Sequence, residues 1–450
     1  MREGEKKSRR DLFRNAATLA ASLGMTGIAT GQGLDDRPFK LGLIGCGNHA
    51  TLNLIPAALR VPGIRFTAVC DIIPARAANA RRITGGGARV YDDYRILLRE
   101  ADVDAVIIAT PLLFHRPMVE EAFKNGRHVF CETIMGYSIE DCKAMLKAQK
   151  ASGKTLQIGH HLRYHPLYQY SKDHFFFWWK RVGRTTNIHC QWNVHGTWHK
   201  LRESLNGVDY RKWGYDEPGH VFDWHLYRKY SGGVMTEMTC NQLDIVNWFL
   251  EDKLPEVAIG VGQIDNKDGR TNFDNVHLIY EYPDGIMVTC DCITTNSFSP
   301  FGEAYVIIQG TRGAVVMAHL ARYVGLFFLE PGAEEELWMP AAHRVTFETP
   351  NAAWRERKGP IILKGGASGG TNFEKVGNVL NITDVVDLET AQITKTPYQI
   401  EMLGFKKAAL DEVKPFCDGQ VGLRNAATIL LGLEAMERKQ RIVVPKDIIA

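Results

Sequence analysis

Phe39–Asp71 reads FKLGLIGCGNHATLNLIPAALRVPGIRFTAVCD. Its apolar run Leu41-Gly42-Leu43-Ile44 predicts a buried strand that runs straight into Gly45-x-Gly47-x-x-Ala50. Leu52, Ile55, Ala58 and Leu59 follow at helical spacing, Pro62-Gly63 stops the helix, and a second strand, Phe66–Cys70, ends on Asp71. Each part has a physical job. Gly45 permits the tight strand-to-helix turn, Gly47 lets a pyrophosphate approach the backbone, and Ala50 is small enough for close helix–strand packing. The helix start, with Asn48 and His49, offers unbonded N–H groups and the positive end of a dipole to the phosphates. Asp71 can accept both hydroxyls of an adenosine ribose and would repel a 2′-phosphate. The stretch therefore predicts a dinucleotide site that takes NAD in preference to NADP.

The chain has 450 residues, enough for two or three domains and a large core. It is 45% hydrophobic and 23% charged, as an ordinary soluble globular protein is. A net charge of +3, part of it at the N-terminus, gives no sign of a nucleic-acid surface, so no nucleic-acid partner is expected. The nine cysteines are scattered and do not make a disulfide framework. Cys290-Asp-Cys292 alternates along a strand pattern and is read as packing. His195-x-x-x-His199 would pair two imidazoles on a helix, but Gly196 and the strand before it argue for a loop. No metal site is expected.

Residues 1–36 stand apart from the fold. Arg2, Lys6 and Lys7 make a basic start; Ser8-Arg9-Arg10-Asp11-Leu12-Phe13-Arg14 follows, then a mild apolar stretch, Ala16–Ala29. That stretch is too short and too rich in Thr, Ser and Gly for a membrane span. The segment resembles a twin-arginine export signal with Leu12 and Phe13 in swapped order. The resemblance implies a periplasmic or otherwise exported protein, carried across already folded with its nucleotide inside.

After Asp71 the strand–helix rhythm continues. Asp92-Asp93 can cap a helix carrying Leu97 and Leu98, and Asp104–Ala109 is a buried strand ending on Thr110-Pro111, with His115 just beyond. His128–Cys131 is a strand ending on Glu132, Ser138-x-x-Asp141 is a capping box, and Thr155–Ile158 is the last strand of this part. Beyond it, strands recur with turns between them: 185–192, 257–264, 276–282, 286–292, 305–309 and 314–317, with Pro283-Asp284-Gly285 and Gly310-Thr-Arg-Gly313 as connections. Residues 320–400 are loop-rich and poorly patterned. Tyr398–Val413 and Leu423–Glu437 read as helices. The fold class is α/β: a Rossmann domain over 37–158, an α+β domain with a large, mostly antiparallel open sheet over 159–400, and C-terminal helices over 401–450.

Several marks together resemble one family. They are Gly45-x-Gly47-x-x-Ala50 with Asp71, Ala109-Thr110-Pro111 with His115, strand-end Glu132, and Gly159-x-x-x-Arg163-Tyr-x-Pro166. Gly232-Gly-Val-Met-Thr-Glu237, Tyr280-Glu-Tyr-Pro-Asp-Gly285 and Gly422-Leu-Arg-Asn-Ala426 complete the set. The resemblance is to the glucose–fructose oxidoreductase / inositol dehydrogenase / MocA (Gfo/Idh/MocA) family. It implies NAD held by Gly45, Gly47, Asn48, His49, Ala50, Asp71, Thr110, Pro111, His115, Glu132 and Arg163. It also implies an open sheet that builds the substrate site and commonly the contact of a homo-oligomer. Many relatives oxidise or epimerise sugars and cyclitols; some exported ones use bound NAD to hydrolyse glycosides.

The catalytic positions depart from the family pattern. A Lys usually follows the strand-end Glu, as E-K-P; here the run is Glu132-Thr133-Ile134. The usual D-x-x-x-H, or its Tyr variant, is here Glu237-Met-Thr-Cys-Asn241. Asn241 can orient a hydroxyl but does not titrate. Three functions follow. The first is an NAD-dependent oxidoreductase acting on a sugar or cyclitol hydroxyl, with Glu237 holding or polarising hydroxyls and His161 or Tyr164 taking the proton. The second is a catalytically inactive NAD-binding or scaffold subunit of a larger assembly. The third is an NAD-dependent glycoside hydrolase. Phe175-Phe-Phe-Trp-Trp179 carries more aromatics than one helix face can bury, which suggests a protein or membrane-surface contact.

Overall fold

The computed structural model describes residues 37–165, 168–169, 171–172, 182–298, 304–319, 324–329, 361–364, 379–381, 396–445 and 447–449. The export-signal segment and Phe175–Trp179 lie outside the described residues.

The first layer is a parallel six-stranded sheet of order β3-β2-β1-β4-β5-β6. Its strands are β1 (Phe39–Ile44), β2 (Ile64–Cys70), β3 (Arg89–Tyr91), β4 (Ala105–Ile108), β5 (His128–Glu132) and β6 (Leu156–Gly159). Strands covered on both faces must be apolar throughout, and β4 is: Ala-Val-Ile-Ile, every residue buried. The crossover helices begin where side chains can satisfy their first N–H groups. Asp93 accepts from Arg95 N, and Ser138 Oγ accepts from Asp141 N at 3.0 Å. The helix Ile139–Ser152 ends on Gly153 at φ +66, the left-handed cap that glycine adopts at no steric cost.

The second layer is a ten-stranded sheet of order β15-β14-β13-β12-β11-β7-β10-β9-β8-β16. It comprises β7 (Thr185–Asn193), β8 (Val257–Gln263), β9 (Asn275–Tyr282), β10 (Ile286–Ile293), β11 (Ala304–Gly310), β12 (Gly313–His319), β13 (Val324–Leu329), β14 (Ile361–Lys364), β15 (Val379–Asn381) and β16 (Ile442–Val443). All ladders are antiparallel except β7–β10 and β14–β15. The β9–β10 hairpin turns through Pro283–Gly285, with Asp284 at φ +66. β13, β14 and β15 extend the sheet inside 320–400, where the sequence shows no clear period.

The C-terminal helices tie the layers together. The helix Pro397–Leu410 packs Met402, Phe405 and Ala409 into the Rossmann core beside Leu41, Ile107 and Phe130. Burying a side chain such as Phe405 stabilises the fold by about 1.5–3 kcal/mol. The helix Gly419–Arg438 lies against both Ile139–Ser152 and β8. All nine cysteines are buried and free; Cys290 and Cys292 point into the core while Asp291 between them is partly exposed.

Candidate active site

The turn after β1 is built so that only glycine fits its first position. Gly45 has φ +91, and a Cβ there would sit 2.4 Å from the Ala109 carbonyl oxygen. A Cβ on Gly47 would meet nothing within 4 Å. The space over Gly47 is thus left open at a helix start, as a pyrophosphate requires. Asp71 is locked from behind: Cys46 N–H donates to Oδ2 at 2.7 Å and Ile73 N–H to Oδ1 at 2.8 Å. Burial leaves its carboxyl raised, against the pull of those two N–H groups. Each oxygen keeps a lone pair for a ribose hydroxyl. Arg76, the nearby cation that could have met a 2′-phosphate, is paired to Glu203 at 2.7 Å and lies over the Phe222 ring. These residues fit NAD.

A cavity of about 1060 Å³ touches this loop and the second domain. That exceeds the ~300–1,000 Å³ of most small-molecule sites and leaves room for a dinucleotide and a second molecule. Thr110, Pro111, Asn48 and Ala50 line it beside the glycines. Trp213, Tyr215 and Phe222 cover it from the second domain, over a small core with Ile73 and Val221.

The far part of the cavity gathers the chemistry. Glu132 ends β5 directly beside Gly159, the last residue of β6. A Cβ on Gly159 would lie 2.8 Å from Glu132 Oε2, so the missing side chain is what lets the carboxylate lie there. Glu132 Oε1 holds His49 Nε2 at 3.0 Å. Burial pulls the His49 pKa down, but Glu132 contact and charge, with Glu237 beyond, leave it raised overall. His161 stacks on Tyr398 with ring centroids 4.3 Å apart. Glu237 and Asn241 stand four residues apart on the turn and helix running from Met235 to Phe249, so both face the cavity. Asn241 Nδ2 donates to the Met238 carbonyl at 3.3 Å. Ser231 and Thr236 hydroxyls donate to Glu237 Oε1 at 2.7 and 3.0 Å. Among the described residues none bonds Oε2. Burial pushes the Glu237 carboxyl up to about 7, against the pull of Ser231, Thr236 and His49. A carboxyl poised there can accept a proton near neutral pH.

Three expected site residues stand elsewhere. Arg163 does not line the cavity: it is buried and holds Asp244 (Nη2–Oδ1 2.7 Å, Nε–Oδ2 2.8 Å) and Asp252 (Nη2–Oδ1 2.6 Å). Tyr164, the proposed proton acceptor, is carried into the interdomain core, with its ring on Phe416 and against Gly404 of Pro397–Leu410. His115 is buried between the carbonyl oxygens of Thr110 (2.9 Å) and Ile134 (3.0 Å), where it braces the nucleotide loop from below. Thr133 lines the cavity, its hydroxyl 3.3 Å from His160 Nδ1. Sequence reasoning missed Tyr398, Lys200, Trp198 and Trp213, which enter the cavity from distant segments with no motif around them.

Comparison with known proteins agrees with this geometry. Residues 39–160 match the model "Oxidoreductase family, NAD-binding Rossmann fold", and residues 205–316 match the "GFO/IDH/MocA C-terminal domain", together just over half the chain. A "Glycosyl hydrolase family 109 protein" of Saccharopolyspora erythraea is 37% identical, over 30% of this chain and 35% of its own length. An "Inositol 2-dehydrogenase" of Rubrobacter xylanophilus is 27% identical over 64% of this chain and 73% of its own. The chain thus spans about a third of the first relative and nearly three quarters of the second. A levoglucosan dehydrogenase solved with NADH and levoglucosan superimposes with a TM-score of 0.67 at 16% identity, covering 91% of this chain and all of that one. With its Gly45–Asp71 nucleotide loop and its open second sheet, the chain belongs to the Gfo/Idh/MocA family.

Proposed function

We propose that the protein oxidises a hydroxyl-bearing carbon of a sugar or cyclitol, with Glu237 as general base. The observation that carries this is the Glu237 carboxylate, held at Oε1 by the Ser231 and Thr236 hydroxyls in the cavity that the nucleotide loop opens into, where desolvation pushes the carboxyl up to about 7. NAD bound over Gly47 and Asp71 supplies the hydride acceptor. Glu237 Oε2 takes the proton of the substrate O–H while Ser231 and Thr236 hold Oε1 still. Asn241 orients a neighbouring hydroxyl, and His161 on Tyr398 forms part of the wall. The carbinol loses one hydride from carbon and one proton from oxygen, and becomes a ketone. Asn241 and Thr133 remove the titrating side chains of the family pattern, but Glu237 leaves the cavity an acid–base group, which weakens the case for a scaffold role.

The match to the glycosyl hydrolase family 109 protein supports a second reading, glycoside cleavage begun by the same hydride step. One experiment separates them. The purified full chain is assayed for bound NAD, then given free sugars, cyclitols and aryl glycosides. Net nicotinamide reduction by a free sugar or cyclitol is the expected result. Aglycone release without net reduction selects the hydrolase, and neither event with any compound contradicts both.

The outer face of the second sheet exposes Ile259, Val261, Ile279 and Met287, with Ile259 and Ile279 directly opposite across β8–β9. We propose that a second copy of the chain covers this face. A charge in its middle, Val261→Lys, is expected to lower the particle mass measured by light scattering while bound NAD is retained. An unchanged mass would count against that face.

A further inference from the structure

The loop 195–200 is fastened at six consecutive residues. His195 Nδ1 lies 3.0 Å from the Thr295 carbonyl, and Gly196 N–H donates to the Thr294 carbonyl at 3.0 Å. The Thr197 carbonyl accepts from Arg270 Nη2 at 2.7 Å, and the Trp198 carbonyl lies 2.8 Å from His225 Nε2. The His199 ring spans Asp223 Oδ2 (3.0 Å) and Asp268 Oδ2 (2.9 Å), and Lys200 N–H donates to Asp223 Oδ1 at 2.8 Å. Trp198 is held at φ +68, a left-handed conformation that costs a residue with a side chain of order 1–3 kcal/mol. So much fastening fixes what the loop presents. It presents Trp198 and Lys200 to the cavity that Glu237 and Asn241 also line.

The Lys200 ammonium lies 5.7 Å over the Trp198 ring and makes no ion pair among the described residues. The residue as a whole is exposed, but desolvation at the cavity wall holds its pKa below the ordinary lysine value, against the pull of Asp223 and Glu237. A hydroxyl that gives up its proton to a carboxylate gathers negative charge on oxygen. A fixed, partly desolvated donor aimed at that oxygen stabilises the charge more than water can. Lys200 shares the cavity wall with the base; of the other cationic side chains there, His49, Arg76 and Arg95 are paired to Glu132, Glu203 and Asp93. We propose that Lys200 is a catalytic residue whose ammonium donates a hydrogen bond to the substrate oxygen from which Glu237 takes the proton, and so binds the carbinol between the two side chains. This rests on the oxidoreductase reading above. The balance is unchanged: the O–H proton goes to Glu237, the C–H hydride to the nicotinamide, and Lys200 keeps its own protons.

The test uses the NAD-loaded full chain with Lys200→Met and Lys200→Arg. The substrate is whichever of myo-inositol, scyllo-inositol, D-glucose or levoglucosan reduces the wild-type nucleotide fastest. Lys200→Met is expected to retain NAD, to lose about 10²–10³-fold in kcat, and to move the acid limb of the pH profile upward. The limb moves because the lost cation no longer favours the Glu237 carboxylate, while His49, Glu132, Ser231 and Thr236 still face it. Lys200→Arg keeps the charge, so it should restore the limb and part of kcat. A Lys200→Met protein with wild-type kcat and an unmoved limb overturns the assignment, as does a loss of rate that only follows loss of NAD. If no compound in the panel reduces the wild-type nucleotide, the oxidoreductase reading falls and Lys200 falls with it. Turnover by wild type with an indifferent Lys200→Met removes Lys200 alone.

Discussion

Glu237→Gln is expected to lower the rate of nicotinamide reduction by about 10²–10⁴-fold, the usual worth of a positioned general base, while bound NAD and the fold are retained. The substitution keeps the shape, and the new amide oxygen can still accept from the Ser231 and Thr236 hydroxyls. What it removes is the ability to take a proton. Because Glu237 acts ionised and its carboxyl is pushed up to about 7, wild-type rate should rise as pH climbs through neutrality. Stability should move the opposite way. The folded chain binds a proton at Glu237 that the unfolded chain has released above its ordinary value of 4.5, so this group's contribution is greatest below that value and is lost as pH rises through about 7. Thermal unfolding of wild type and Glu237→Gln across that window checks the point without any substrate. A pH-independent difference between them would contradict the raised carboxyl.

Arg163→Ala is expected to destabilise the fold by about 3–5 kcal/mol, read from denaturant unfolding. Arg163 is 1% exposed, and its guanidinium binds two carboxylates at once. Its removal leaves the buried Asp244 with, among the described residues, Asn425 Nδ2 at 3.1 Å and His160 Nδ1 at 3.8 Å. An uncompensated buried charge costs far more than the intact pair contributes. Asp244 sits on Cys240–Phe249, the helix that Glu237 leads into, so Arg163 also fixes the base relative to β6. A double substitution, Arg163→Met with Asp244→Asn, removes the two fully buried charges, leaves the partly exposed Asp252, and should recover much of the loss. A single substitution that costs under about 1 kcal/mol would place the pair among weak, solvated ones.

The nucleotide half was legible because its signals are local. Gly45, Gly47 and Asp71 lie within one strand–helix–strand unit, and the tight turn, the open backbone and the ribose acceptor each demand a residue type at a fixed offset. The antiparallel strands of the second sheet were legible through their alternation and the Pro283–Gly285 turn. Glu237 was legible as a carboxylate but not as a base, since its shift comes from burial that no local pattern encodes. Arg163 was read as a nucleotide ligand because its true partners, Asp244 and Asp252, lie 81 and 89 residues away. Tyr164 shares a short turn with His161, but Gly404 opens space for its ring in the core rather than in the cavity. Lys200 and Tyr398 carry no periodic or motif signal. They reach the cavity only through tertiary anchors, Asp223 for one and the docking of Pro397–Leu410 for the other.

Glu237, part-buried in the cavity wall, takes the substrate proton as bound NAD is reduced. That step is tested most directly by the single-turnover rate of nicotinamide reduction, followed by absorbance across pH in the NAD-loaded wild type and in Glu237→Gln. The expected result is a wild-type rate that rises through a midpoint of about 7 and a low, flat profile in the variant. A wild type that never reduces its nucleotide, or a variant that keeps the same rising profile, would contradict it.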